Sequence, residues 1–102
     1  MSGERRRNQR QSVLLEARWE SLSKRHQARV DDVSMGGCFV NTYGPVAIGE
    51  PVELKILRRS GEWLALTGHV ATYQNGVGFG MAFTELSEET RKALQDVIAT
   101  GG

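Results

Sequence analysis

Val52, Leu54 and Ile56 alternate with Glu53 and Lys55, the period of two that a strand shows when one face is buried and the other meets water. Leu64, Leu66, Gly68 and Val70 repeat that period toward Tyr73, after a turn at Arg58-Arg59-Ser60-Gly61. Asn75-Gly76 predicts a tight hairpin, because both central positions of the favoured turn need positive φ and Asn-Gly tolerates it best, so Val77–Phe83 should return antiparallel. Upstream, Ser12–Trp19 and Ala28–Val33 mix apolar and polar residues and flank a polar stretch, Ser21–Gln27, that reads as a turn or hairpin connection. Gly36-Gly37 precedes a short run of β-formers, Cys38–Thr42, which ends at the Gly44-Pro45 breaker. The pattern changes at Ser87, a good helix N-cap followed by Glu88 and Glu89. Leu86, Ala93, Leu94, Val97 and Ile98 then fall on one helical stripe, predicting a helix over 87–99. Six or so short strands and one helix imply an all-β antiparallel barrel or sandwich, with the helix packed on it or closing one end.

A chain of 102 residues with 39% hydrophobic and 25% charged side chains has the size and composition of one folded domain. The polar segment 1–11, whose one large apolar residue is Met1, is expected to be a mobile arm before a domain over 12–102, with the barrel at 12–84. No apolar run approaches the roughly 20 residues of a membrane-spanning helix, and MSGERRRNQR lacks the apolar stretch of a signal peptide, so a cytoplasmic protein is expected. The single cysteine, Cys38, excludes an internal disulfide and a CxxC motif, and reads as a buried strand residue. The net charge of +1 conceals an asymmetry. Residues 1–29 hold eight Arg/Lys against three Glu, or +5, whereas residues 30–102 hold five Arg/Lys against nine Asp/Glu, or −4. Much of the positive half is Arg5, Arg6, Arg7 and Arg10, which points to an anionic partner at one place.

No convergent set of catalytic groups is visible, so no enzyme is expected: His26 and His69 are isolated, and no HExxH-like or CxxC spacing offers a metal site. Gly76-Val77-Gly78-Phe79-Gly80 lacks the following lysine and the strand-to-helix step of a phosphate loop, and reads as a hairpin instead. Two constellations stand out: Arg6xxxArg10 with Arg5 before it, and Asp32xSer34xxGly37 between two predicted strands. Alone, the first reads as a solvated tail and the second as turn chemistry. Together they offer guanidinium groups, which grip phosphate, stack on purines and donate to the O6/N7 edge of guanine, beside a carboxylate and a hydroxyl that complement base or ribose donors. Gly36 and Gly37 would let backbone approach a ligand. That inventory suits a small dianionic ligand containing guanine.

Arg6xxxArg10, then Asp32xSer34xxGly37, then GVGFGMAFTELSEETRKALQDVI resembles a PilZ domain over nearly the whole chain. The resemblance implies a six-stranded antiparallel β-barrel with a C-terminal helix, and binding of the bacterial second messenger cyclic di-GMP with no further cofactor. It implies that Arg6 and Arg10 grip the ligand, that Asp32 and Ser34 read the guanine edge, that Gly37 permits the turn, and that Arg5 influences whether one ligand or a stacked pair is held. It further implies a downstream protein partner, reached by rearrangement of the arm, in processes such as motility or biofilm formation. A PilZ-fold adaptor that acts through protein contacts without nucleotide, as in pilus biogenesis, is the alternative. A nonspecific nucleic-acid binder using the basic N-terminus is a third reading, marked by steep salt dependence.

Overall fold

The computed structural model describes residues 15–21 and 24–101. Six strands follow in order: β1 (Leu15–Ser21), β2 (Lys24–Asp31), β3 (Gly37–Asn41), β4 (Pro51–Leu57), β5 (Trp63–Gln74) and β6 (Gly78–Phe83). One helix, α1 (Glu88–Thr100), comes after them. All neighbouring strands are antiparallel and the sheet closes on itself in the order β1-β2-β3-β6-β5-β4, so the barrel alternative holds and the sandwich does not.

Alternation decides which side chains fill the barrel. Leu15, Ala17 and Trp19 of β1, Val52, Leu54 and Ile56 of β4, and Leu64, Leu66, Gly68 and Val70 of β5 are all buried, while the residues between them face out. Trp19 is the largest of the fully buried side chains; its ring meets Phe79 edge-on at 5.2 Å, and its indole N–H donates to the Thr42 hydroxyl at 3.0 Å. Burial of an indole without such an acceptor would carry a desolvation cost of about 1–3 kcal/mol.

The helix forms as the pattern predicted. The Ser87 hydroxyl accepts the Thr90 N–H at 3.1 Å, and Gly101 at φ 82 ends the last turn by donating its N–H to the Val97 carbonyl. Leu94, Val97 and Ile98 are buried against the barrel. The last turn carries no basic residue of its own, and the turn after β4 supplies cations instead: Arg58 pairs with Asp96 at 2.9 Å, and Arg59 donates to the Thr100 carbonyl at 3.0 Å.

Three local expectations need correction. Lys24–Gln27 belong to β2 and do not form a turn, because β1 and β2 pair down to Ser21 and Lys24. The polar composition misled because the outward positions of this strand, Arg25 and Gln27, meet water, while His26 stacks on Trp19 with ring centroids 4.5 Å apart. Second, the hairpin at Asn75-Gly76 has three connecting residues rather than two, since Gln74 pairs with Gly78. The Val77 N–H bonds the Gln74 carbonyl at 3.0 Å and Gly76 alone in that connection has positive φ, 81, as a type II turn demands of its third residue. Third, β5 carries a bulge between Val70 and Thr72, which the unbroken apolar alternation did not announce.

Candidate ligand face of the barrel

The connection from β2 to β3 carries the DxSxxG segment. At the end of β2, Asp31 Oδ1 accepts the backbone N–H of Asp32 at 2.7 Å. Asp32 then takes φ 54 and is the one non-glycine residue at positive φ among the described residues, a conformation that short polar side chains tolerate better than others. Its side chain is exposed, while the next residue, Val33, is completely buried and anchors the turn from inside. Ser34 closes the turn: its N–H donates to the Gly37 carbonyl at 2.9 Å, its hydroxyl donates to the same carbonyl at 3.3 Å, and its Oγ accepts the Gly36 N–H at 3.3 Å. A hydroxyl oxygen so used keeps one lone pair for a further donor.

The two glycines differ in what they do. Gly36 has open space around the position of a Cβ, and its carbonyl accepts the Phe83 N–H at 2.9 Å, tying the turn to β6. Gly37, expected to permit the turn, is not at positive φ. Its requirement lies across the sheet, where a Cβ would come within 2.1 Å of the Met81 carbonyl oxygen. Close approach of β3 to β6, and not the turn, selects glycine there.

The strand register carries the surface outward from this turn. On the outer face, Asp31, Phe39, Gly80 and Thr72 form one row across β2, β3, β6 and β5, and Arg29, Asn41, Gly78 and Gln74 form the next. Gly80 has no side chain, and the Thr72 hydroxyl lies over the position its Cβ would take. An open depression of about 400 Å³ lies on this face, lined by Asp31, Asp32, Phe39, Asn41, Gln74 and Val77. The exposed motif residue thus sits at the lip of a hollow. Phe39, Asn41, Gln74 and Val77 were not singled out in the sequence; only the register reveals that they share a face with Asp32.

Beneath the motif, Cys38 is buried as expected. Burial pushes its thiol up to about 12, and the nearby Asp32 carboxylate adds to the rise. The thiol is therefore held protonated and is no nucleophile. A second hollow of about 370 Å³, lined by residues including Arg18, Glu20, Arg25, Glu53 and Lys55, mixes both charge signs, and Arg25 is already paired with Glu20 at 2.7 Å. It gathers none of the residues expected to bind a ligand. Among the described residues, no group of three or more His, Cys, Asp or Glu side chains could hold a metal ion, and no helix is long and apolar enough to cross a membrane.

Arg5, Arg6 and Arg10, and the expected arm over 1–11, lie outside the described residues. The first described residue, Leu15, pairs with Val30, two positions before Asp32.

Among curated proteins, no match is found. Among solved structures, the Bacillus subtilis inhibitor of motility MotI/DgrA superposes with a TM-score of 0.71 at 15% identity, over 94% of this chain and 50% of that one. This chain therefore spans about half the length of that protein. The PilZ domain of CeSA from a cellulose-synthesizing bacterium gives 0.73 at 20% identity, over 88% of this chain and 94% of its own. At these identities the two likenesses speak for the fold. The family model of the PilZ domain matches residues 4–100, nearly the whole sequence. The chain belongs to the PilZ domain family, a family of regulatory, ligand-binding domains that serve as receptors for cyclic di-GMP.

Proposed function

We propose that this chain is a bacterial cyclic di-GMP receptor, binding the dinucleotide between Arg5, Arg6 and Arg10 and the barrel face that carries Asp32, Ser34, Gly36 and Gly37. The observation that carries this reading is the placement of Asp32, exposed on a turn locked by Ser34 at the lip of an open hollow. The entry point of the chain agrees with it. Arg10 precedes Leu15 by five residues, a reach of up to about 17 Å for extended backbone, and Leu15 pairs beside the strand that leads into the turn. Arginines within that radius can neutralise two phosphates and stack on a purine, while the Asp32 carboxylate accepts from guanine N–H donors.

Binding draws the arginines onto the barrel, and the altered surface is what a protein partner senses. A ligand shifts the arm only by its differential affinity for the bound arrangement, so ordering and binding are lost together when the arginines are removed. Titration calorimetry with cyclic di-GMP, GTP and an oligonucleotide tests the reading. Saturable binding of cyclic di-GMP alone supports it, absence of binding to all three favours the protein-contact adaptor, and salt-sensitive binding of the oligonucleotide favours a nonspecific nucleic-acid binder.

A further inference from the structure

Phe39 occupies an unusual place for a phenylalanine. It lies on an outward position of β3, between the buried Cys38 and Val40, so alternation turns its ring away from the barrel interior. The hydrophobic core gathers partly buried residues such as Met35, Val46, Tyr73 and Phe83 around it, but Phe39 is not among those packed against it. Every other side chain in the two rows across this face is polar: Arg29, Asp31, Asn41, Thr72 and Gln74. On one side of Phe39 the register places Asp31; on the other is Gly80, where the Thr72 hydroxyl lies over the position a Cβ would take. The ring is half-buried and lines the hollow.

The geometry points to Phe39 as a stacking platform for a purine base of the ligand, a role that rests on the cyclic di-GMP reading above and adds a residue to it. A flat, apolar ring on an outward strand position, half-buried beside a hollow with a polar rim, suits the face of a flat base better than it suits a phosphate or a ribose. The rim supplies edge chemistry around that base: the Asp31 and Asp32 carboxylates can accept from guanine N–H groups, and the Asn41 and Gln74 amides can both donate and accept. An aromatic floor with polar walls reads a base by its face and its edge at once. Arginine contacts, in contrast, also hold the phosphates.

Stacking and simple apolar contact make different demands, which defines the test. Calorimetry with cyclic di-GMP compares the parent chain with Phe39→Tyr, Phe39→Leu and Phe39→Ala, each shown to be folded by its circular dichroism and unfolding midpoint. Removing a base–aromatic stack typically costs about five-fold to a hundred-fold or more in affinity. The expected result is near-parental affinity for Phe39→Tyr and a loss of that size for both Phe39→Leu and Phe39→Ala. In proton NMR of the bound ligand, a guanine H8 resonance should move upfield in the parent complex under the ring current and lose that shift with Phe39→Leu. Parental affinity in Phe39→Leu, or an H8 shift unchanged by that substitution, overturns the stacking role while leaving the receptor reading intact. Failure of the parent chain to bind cyclic di-GMP overturns both.

Discussion

Gly36 and Gly37 are neighbours in one motif, and their surroundings predict opposite responses to the same substitution. In Gly37→Ala the new Cβ would sit 2.1 Å from the Met81 carbonyl oxygen, 3.2 Å from its carbonyl carbon and 3.4 Å from the Ala82 Cα. All three are backbone atoms of a strand paired to β3 at Gly37–Ala82 and Cys38–Met81, inside a closed barrel with no free edge to retreat to. Relief requires the two strands to part. Overpacking of a well-fitted interior costs about 1–3 kcal/mol and sometimes more, and a contact with unyielding backbone belongs at the upper end of that range. For a domain of about 100 residues this lowers the thermal midpoint by at least about 10 °C. Gly36→Ala meets nothing within 4 Å and starts from an ordinary φ, so its effect should stay within about 0.5 kcal/mol. Urea unfolding monitored by the fluorescence of Trp19 and Trp63 measures both. An undiminished midpoint in Gly37→Ala, or a Gly36→Ala variant as damaged as its neighbour, refutes the assignment of Gly37 to strand packing. Because Gly36→Ala should remain folded, any loss of cyclic di-GMP affinity in it reports on the ligand and not on the barrel.

Other consequences are as direct. Arg6→Ala and Arg10→Ala should each lower cyclic di-GMP affinity by roughly ten- to hundred-fold, the loss of a charge-assisted contact of about 1.5–3 kcal/mol, with the unfolding midpoint unchanged; parental affinity in calorimetry of either variant removes that arginine from the site. Cyclic di-AMP should bind far more weakly than cyclic di-GMP, since the Asp32 carboxylate would lose its guanine donors, and equal affinities would mean that only phosphate charge is read. Cys38 should resist a thiol reagent at pH 8 in the folded protein and react once denatured. Its thiol, raised to about 12 when folded against an ordinary 9.0, stays protonated where the unfolded chain has ionised, so its contribution to stability is lost as pH rises from about 9 toward 12. Chemical unfolding across that window should show a shallower alkaline decline for Cys38→Ala than for the parent, and parallel curves would contradict the burial argument.

The strands with one wet face were the most legible. Val52–Ile56 and Leu64–Val70 alternate in sequence because they alternate in the barrel, and Ser87 declares the helix because unpaired N–H groups at a helix start need an acceptor. β2 was half hidden, since its early residues meet water or pair with Trp19, and neither leaves an apolar period to detect. The motif residues Asp32 and Ser34 could be named from type and spacing, but not the left-handed backbone of Asp32 or the hydrogen bonds that occupy Ser34. Phe39, Asn41 and Gln74 were illegible as a group because they come together only through pairings between β2, β3, β6 and β5, separated by up to dozens of residues along the chain.

The bulge at Ala71 makes the candidate ligand face a matter of parity. Up to Val70 the even-numbered residues of β5 point into the barrel; beyond it Tyr73 turns toward the core, and Thr72 and Gln74 turn outward. Had the strand kept its count, a phenol would stand on the face and two polar side chains would be forced into the interior. Deleting Ala71 would remove the bulge and leave Thr72, Tyr73 and Gln74 on the faces they hold now, opposite Gly80, Phe79 and Gly78, whereas pairing Ala71 in regular register would exchange inside for outside in everything from there to the hairpin. Whether the strand bulges at this one point is as much a determinant of the surface chemistry as the identity of any side chain displayed on it.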